Sequence, residues 1–189
     1  MLLMKDIVYD NNKKIRSKSK QVHLPLSDED KQLLDEMHEF LVISQDEERN
    51  KEFNLRPGVG LAAIQVGVPK RMIAIHIPEY DEEGKVVAST DLELVNPKIV
   101  SYTKKQSYLK NGEGCLSVDR EVKGLVPRHA KITVQAYEAI SGEKIEMVAR
   151  GFIAICLQHE IDHLDGILFY DHISKDYPMM PIEGAMEIE

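Results

Sequence analysis

Apolar residues follow three kinds of pattern along the chain. Leu33, Leu34, Met37, Phe40 and Leu41 recur at helical spacing behind Ser27, a good N-cap, and behind Asp28, Glu29 and Asp30, which suit the positive end of a helix dipole. They predict a helix over about 28–45. Strict alternation over 131–137 and again over 144–149 predicts two strands, with Ser141 and Gly142 as the hairpin turn between them. Met72–Ile77 reads as a further strand closed by Pro78, and 91–100 as another with Pro97 at an edge or bulge. The third pattern runs from Arg150 to Gly166. There Phe152, Ile153, Ala154, Ile155, Cys156, Leu157, Ile161 and Leu164 leave almost no wet face, as in a helix enclosed on all sides.

Short antiparallel connections and two long helices predict an α+β fold, with antiparallel or mixed sheets packed around the central buried helix and a second helix N-terminal to it. The 189 residues suit a single domain. Within it, 1–26 reads as an arm wrapped on the body, 44–56 as a charged insertion of solvated helix end and loop, and 171–189 as a tail. A net charge of −8 and a pI near 5.4 argue against a nucleic-acid site or an anionic membrane surface, which call for a basic footprint. Met1–Asp6 offers no secretory apolar region, and no run approaches the ~20 residues that span a bilayer, so a cytoplasmic protein is expected. Two cysteines, Cys115 and Cys156, make no disulfide framework and suit a metal or catalytic role.

Into the apolar 150–166 segment the sequence inserts His159, Glu160, Asp162 and His163. Burying such groups costs several kcal/mol unless each is paired or ligated, roughly 2–7 for a neutral polar group alone, so they need a shared purpose. His159 and His163 stand at i and i+4 on one helical face, where two imidazoles reach one ion, and Glu160 lies beside them as a general base. A third ligand must come from elsewhere. Cys115, in the glycine-flanked loop 111–117, can approach from another element and is preferred. Cys156 shares the helix but would have to reach along its axis, and otherwise serves as a small apolar wall residue. A metzincin protease would need histidine at position 169, which is Phe169. A thermolysin-like use of Glu183 fails because Pro178, Pro181 and Gly184 leave no helix to hold it. His38 reads as a surface or boundary residue, and His23, His76, His129 and His172 as isolated imidazoles. A metallopeptidase of unusual topology and a structural metal protein remain as alternatives to a metal-dependent amide hydrolase.

Three segments in order, Gly58-Val59-Gly60-Leu61-Ala62-Ala63-Ile64-Gln65, Glu113-Gly114-Cys115-Leu116-Ser117 and Gln158–Gly166, closely resemble those of the peptide deformylases, in the longer Gram-positive type 2 form. The resemblance covers essentially the whole chain and departs at Ile64, where the family usually has Pro or Thr. It implies a metal held by Cys115, His159 and His163 with an open fourth position, and Glu160 as general base. The ion implied is Fe2+, which Zn2+, Ni2+ or Co2+ can replace. Gln65 and the backbone N–H of Leu116 are the implied oxyanion donors, Val59 and Gly60 pair with the substrate backbone, and Phe152, Ile155 and Cys156 form the methionine pocket. Glu113 and Arg128 match an ion pair bracing the cysteine loop. The implied partners are N-formylmethionyl nascent peptides, met at the ribosome by a monomer.

Overall fold

A computed structural model describes all 189 residues. The helix predicted over 28–45 is α1 (Asp28–Gln45), and Ser27 caps it by accepting a bond from the Asp30 N–H. The 44–56 segment is more ordered than the sequence suggested. Asp46 accepts from the Glu48 and Arg49 N–H groups and starts a second helix, α2 (Glu47–Phe53), which ends at Asn54 in the left-handed conformation. A five-stranded sheet follows the order β1 (Gly60–Ala62), β2 (Met72–Tyr80), β3 (Val86–Tyr102), β6 (Lys131–Glu138) and β7 (Glu143–Arg150), antiparallel throughout. A smaller sheet has the order β5 (Arg128–His129), β4 (Gln106–Leu109), β8 (Met186–Ile188), with β4 and β8 parallel. The tail predicted to lack helix thus ends in a strand.

Two expected strands are longer than predicted. β2 continues through Pro78 to Tyr80, because it pairs with the longer β3 and both run out into a solvent-exposed hairpin. Pro97 sits at a break of register between Val95 and Lys98, one of the two placements expected for it. Asn96 takes φ 53° at that break, and its side-chain amide pairs with both backbone groups of Val22. The bulge thereby tethers the N-terminal arm, whose Ile15 is fully buried.

Strand alternation divides the interior into two layers. Met72 and Ala74 of β2, with Leu61 and Val95, pack with Leu34, Met37, Phe40 and Leu41 of α1. Ile73 and Ile75, with Ala62 and Leu94, pack on the other face with Ala154, Cys156, Leu157, Ile161 and Leu164. The last five belong to α3 (Gly151–Leu164), the buried helix that the sequence predicts. A strand covered on both faces reads as a continuous apolar run, as Met72–Ile75 does.

One polar group is out of place in this frame. Glu93 of β3 is buried, and burial, seconded by the Asp35 carboxylate, lifts its pKa from 4.5 to about 6. Because the folded value is raised, its proton favours the native state below pH 4.5, and that contribution is lost as pH rises through about 6. Glu93→Gln, which cannot ionise, should therefore gain thermal stability relative to the native chain between pH 4.5 and 7, with a constant difference below that range. A difference independent of pH in paired melting curves would contradict this account.

Candidate metal centre

Helix α3 presents His159 and His163 one turn apart, their rings 5.0 Å between centroids, and the loop after β4 brings Cys115 against them. Cys115 Sγ lies 3.3 Å from His163 Nε2, and one ligand atom from each of the three residues falls within 4.8 Å of the others. No fourth histidine, cysteine or carboxylate joins this group. Cys156, the competing thiol, is outside it, and burial pushes its pKa well up, so it stays a thiol on the wall. Burial opposes charge on His159, but its bonds to Cys115 and Glu113 outweigh that and hold its pKa well above the ordinary value. His163 goes the other way: burial, then the charge at His159, hold its pKa well below normal, leaving a neutral imidazole.

The surroundings fix these side chains. Glu113 accepts from Arg128 Nε at 2.8 Å and Nη2 at 2.9 Å, and its Oε2 meets His159 Nδ1 at 2.8 Å. Burial alone would raise the Glu113 pKa, but its bonds to Arg128 and His159 bring it down to about 2. Arg128 Nη1 also donates to Asp162 Oδ2 at 2.5 Å, and His172 Nε2 reaches the same oxygen at 2.8 Å. The predicted Glu113–Arg128 pair is thus part of a buried chain of charges. Sequence reasoning did not find Asp162 and His172 as its members, because their partners lie 34 and 10 residues away from Asp162.

Arg56 was also missed. Its guanidinium donates to the carbonyls of Cys115, Leu116 and Val118, tying down the loop that carries the thiol. A charged residue heading the glycine segment was the only available signal. Phe169, noticed only as a substitute for histidine, stacks on the His159 ring at 6.0 Å between centroids.

Before this group lies a cleft of about 320 Å³. Val59, Gly60, Gln65, Leu116, Phe152, Ile155 and Cys156 all line it, together with Cys115, His159 and Glu160. Glu160 packs so closely on Gly60 that a Cβ there would stand 2.4 Å from its Oε1. Its other oxygen is buried with no partner, and burial, with Glu113 adding repulsion and His159 partly offsetting it, lifts its pKa to about 7. Gln65 is oriented by accepting the Ala62 N–H at 2.8 Å, which turns its amide nitrogen toward Ser117 Oγ at 3.2 Å and Cys115 Sγ at 3.6 Å. The Leu116 N–H makes no hydrogen bond within the chain, while its carbonyl is held by Arg56. Ile64 is fully buried in the layer around α3 and away from the cleft, so the departure from the usual Pro or Thr changes packing and leaves the lining alone.

Comparison with known proteins gives the family. The model of the polypeptide deformylase family matches residues 4–178. The chain is 50% identical over 188 residues to the peptide deformylase of Staphylococcus epidermidis, with all of both chains covered. Among solved structures, the peptide deformylase of Ehrlichia chaffeensis superposes with a TM-score of 0.71 at 32% identity, covering 91% of this chain and 89% of that one. A class I type b peptide deformylase of Acinetobacter baumannii, bound to Met-Ala-Ser, gives 0.67 at 30% identity over 88% of this chain and 96% of that one. A candidate metal-ligating trio, a buried carboxylate beside it and an open cleft therefore stand in a chain that belongs to the polypeptide deformylase family.

Proposed function

We propose that this deformylase works through one Fe2+ held by Cys115, His159 and His163, with Glu160 moving the proton, and that its substrates are N-formylmethionyl nascent peptides met at the ribosome in the cytoplasm. The observation that carries the proposal is the convergence of one sulfur and two ring nitrogens beside a carboxylate oxygen with no partner, at the floor of the cleft. Three donors without a fourth suit a catalytic centre better than a closed structural one. One sulfur and two imidazoles fit a borderline divalent ion, and the Glu113 carboxylate at His159 Nδ1 holds that ring in place for it.

A divalent ion in that position supplies Lewis acidity, making water acidic enough to lose a proton near neutral pH. Glu160, with a pKa of about 7, takes that proton as the water oxygen adds to the formyl carbon. Negative charge then gathers on the formyl oxygen, where the Gln65 amide and the Leu116 N–H can donate, and one such donor is worth about 3–4 kcal/mol. As the C–N bond breaks, Glu160 returns the proton to the amine nitrogen, and formate and a free amino terminus leave. Val59 and Gly60 pair with the peptide backbone, while Phe152, Ile155 and Cys156 receive the methionine side chain. The related protein bound to Met-Ala-Ser supports this choice, since that tripeptide has the form of a deformylated product. The working unit is one domain, 1–189, acting as a monomer. Its arm is strapped to the body by Arg16, which bonds Asp171, Tyr170 and the Gly166 carbonyl.

Iron-loaded protein prepared without oxygen should release formate from an N-formylmethionyl peptide. Glu160→Gln should keep one metal per chain and lose turnover by at least ~100-fold. No formate from the fresh iron form would contradict the proposal, and cleavage of internal peptide bonds would indicate a peptidase. Glu113→Gln, which removes the carboxylate that orients His159, should weaken metal affinity by about 10–100-fold in chelator competition. Unchanged affinity would mean that His159 needs no such support.

A further inference from the structure

A second group of metal-ligating side chains lies outside the cleft. His76 of β2 and Asp91 of β3 are directly opposed across the strands, so their side chains share a sheet face. In the alternation of β2 that face also carries Met72 and Ala74, the face covered by α1. From α1, His38 reaches the same spot. His38 Nε2 lies 2.5 Å and His76 Nδ1 2.6 Å from a single oxygen, Asp91 Oδ1, and the two rings meet edge to face at 5.6 Å. One ligand atom from each residue falls within 4.8 Å of the others, as in the cleft trio. His38 is half-buried, as the boundary position expected of it, whereas His76, expected as an isolated imidazole, has Asp91 as its partner.

We propose that His38, His76 and Asp91 form a second metal site, taking a borderline divalent transition ion such as zinc. Two imidazole nitrogens and one carboxylate oxygen are zinc-type ligands, whereas calcium or magnesium would call for a mainly oxygen set. The side chains are between 13% and 29% exposed, so the pocket is shielded yet open to an entering ion, with the remaining coordination position toward solvent. The local field favours a cation. Asp35, Glu138 and Asp91 all lie close enough to act on Glu93, two residues along β3 from Asp91. Asp91 is an acceptor on both oxygens, Oδ1 toward the two rings and Oδ2 toward the Ser89 hydroxyl. Donors around a tetrahedral zinc stand about 3.3 Å apart at bond lengths near 2.0–2.1 Å. The bound ion would therefore replace two ring protons and spread each nitrogen–oxygen pair by less than ~1 Å.

The site lies directly behind the strand that lines the cleft. The His76 N–H donates to the Val59 carbonyl at 2.9 Å. The Gln45 amide, at the end of α1, bonds the carbonyls of both Gly58 and His76. An ion shared by α1, β2 and β3 would thus staple the helix to the hairpin on which the Gly58–Gly60 segment rests. The inference does not depend on which ion fills the cleft or on the reaction performed there.

The test is a zinc titration of protein whose cleft site is already loaded with one zinc. Equilibrium dialysis with elemental analysis should find a second equivalent bound to the native chain. His38→Gln and Asp91→Asn should each bind one equivalent only, with deformylase activity retained as the sign of a folded cleft. In the native protein, the second equivalent should shift the ring resonances of His38 and His76 and leave those of His159 and His163 in place, a readout that needs no variant. Saturation at one equivalent, survival of the second in both variants, or ring shifts confined to other histidines would overturn the proposal.

Discussion

The structure of the centre depends on keeping an arginine and two carboxylates charged inside the protein. Arg128 is 3% exposed and Glu113 equally so, and they face each other through two parallel hydrogen bonds. Removing one partner of such a pair typically costs about 3–5 kcal/mol, because the other charge is left buried alone. Here the pair also has directional work. Glu113 turns its second oxygen to His159, and Arg128 turns its remaining nitrogen to Asp162 on the same helix. The strand of Arg128, the loop of Glu113 and Cys115, and α3 are therefore set at one relative position by a single guanidinium.

Around that network the sheet provides a wall with two different sides. One face of β2 rests on α1 and the other on α3, and the short β1 and α3 both line the cleft. Glycine at position 60 follows from this layering. The Glu160 carboxylate occupies the volume that any side chain there would need, so the strand approaches the base only where it carries none. Cleft, buried carboxylate and candidate ligands are consequently parts of one packing arrangement, in which α3 supplies Glu160 and two imidazoles from one end and the apolar Phe152, Ile155 and Cys156 from the other.

Features set by local periodicity were legible in the sequence. Helix α1 and the 131–150 hairpin carry their hydrophobic period and caps within a few residues, and the His159–His163 spacing needs only the helical turn. Cys115 was legible as a candidate ligand because glycines flank it, and its choice over Cys156 followed from reach along the helix axis. Relations between distant segments were not legible. The extension of β2 past Pro78 depends on β3, the terminal strand β8 on β4, and the order of α2 on the Asp46 cap within a run of charges. The same limit hid Arg56, Asp162 and His172, and it made His76 look solitary although folding places it, with His38, against Asp91.

The central claim is that one thiolate and two imidazoles form an open metal centre, with Cys156 serving as wall. X-ray absorption at the metal edge of freshly loaded protein examines it most directly, since sulfur and lighter ligands scatter distinctly. The account predicts one sulfur and two imidazole nitrogens, with a light atom from outside the chain completing the shell. Two sulfurs, or a shell closed entirely by side chains of the protein, would contradict it.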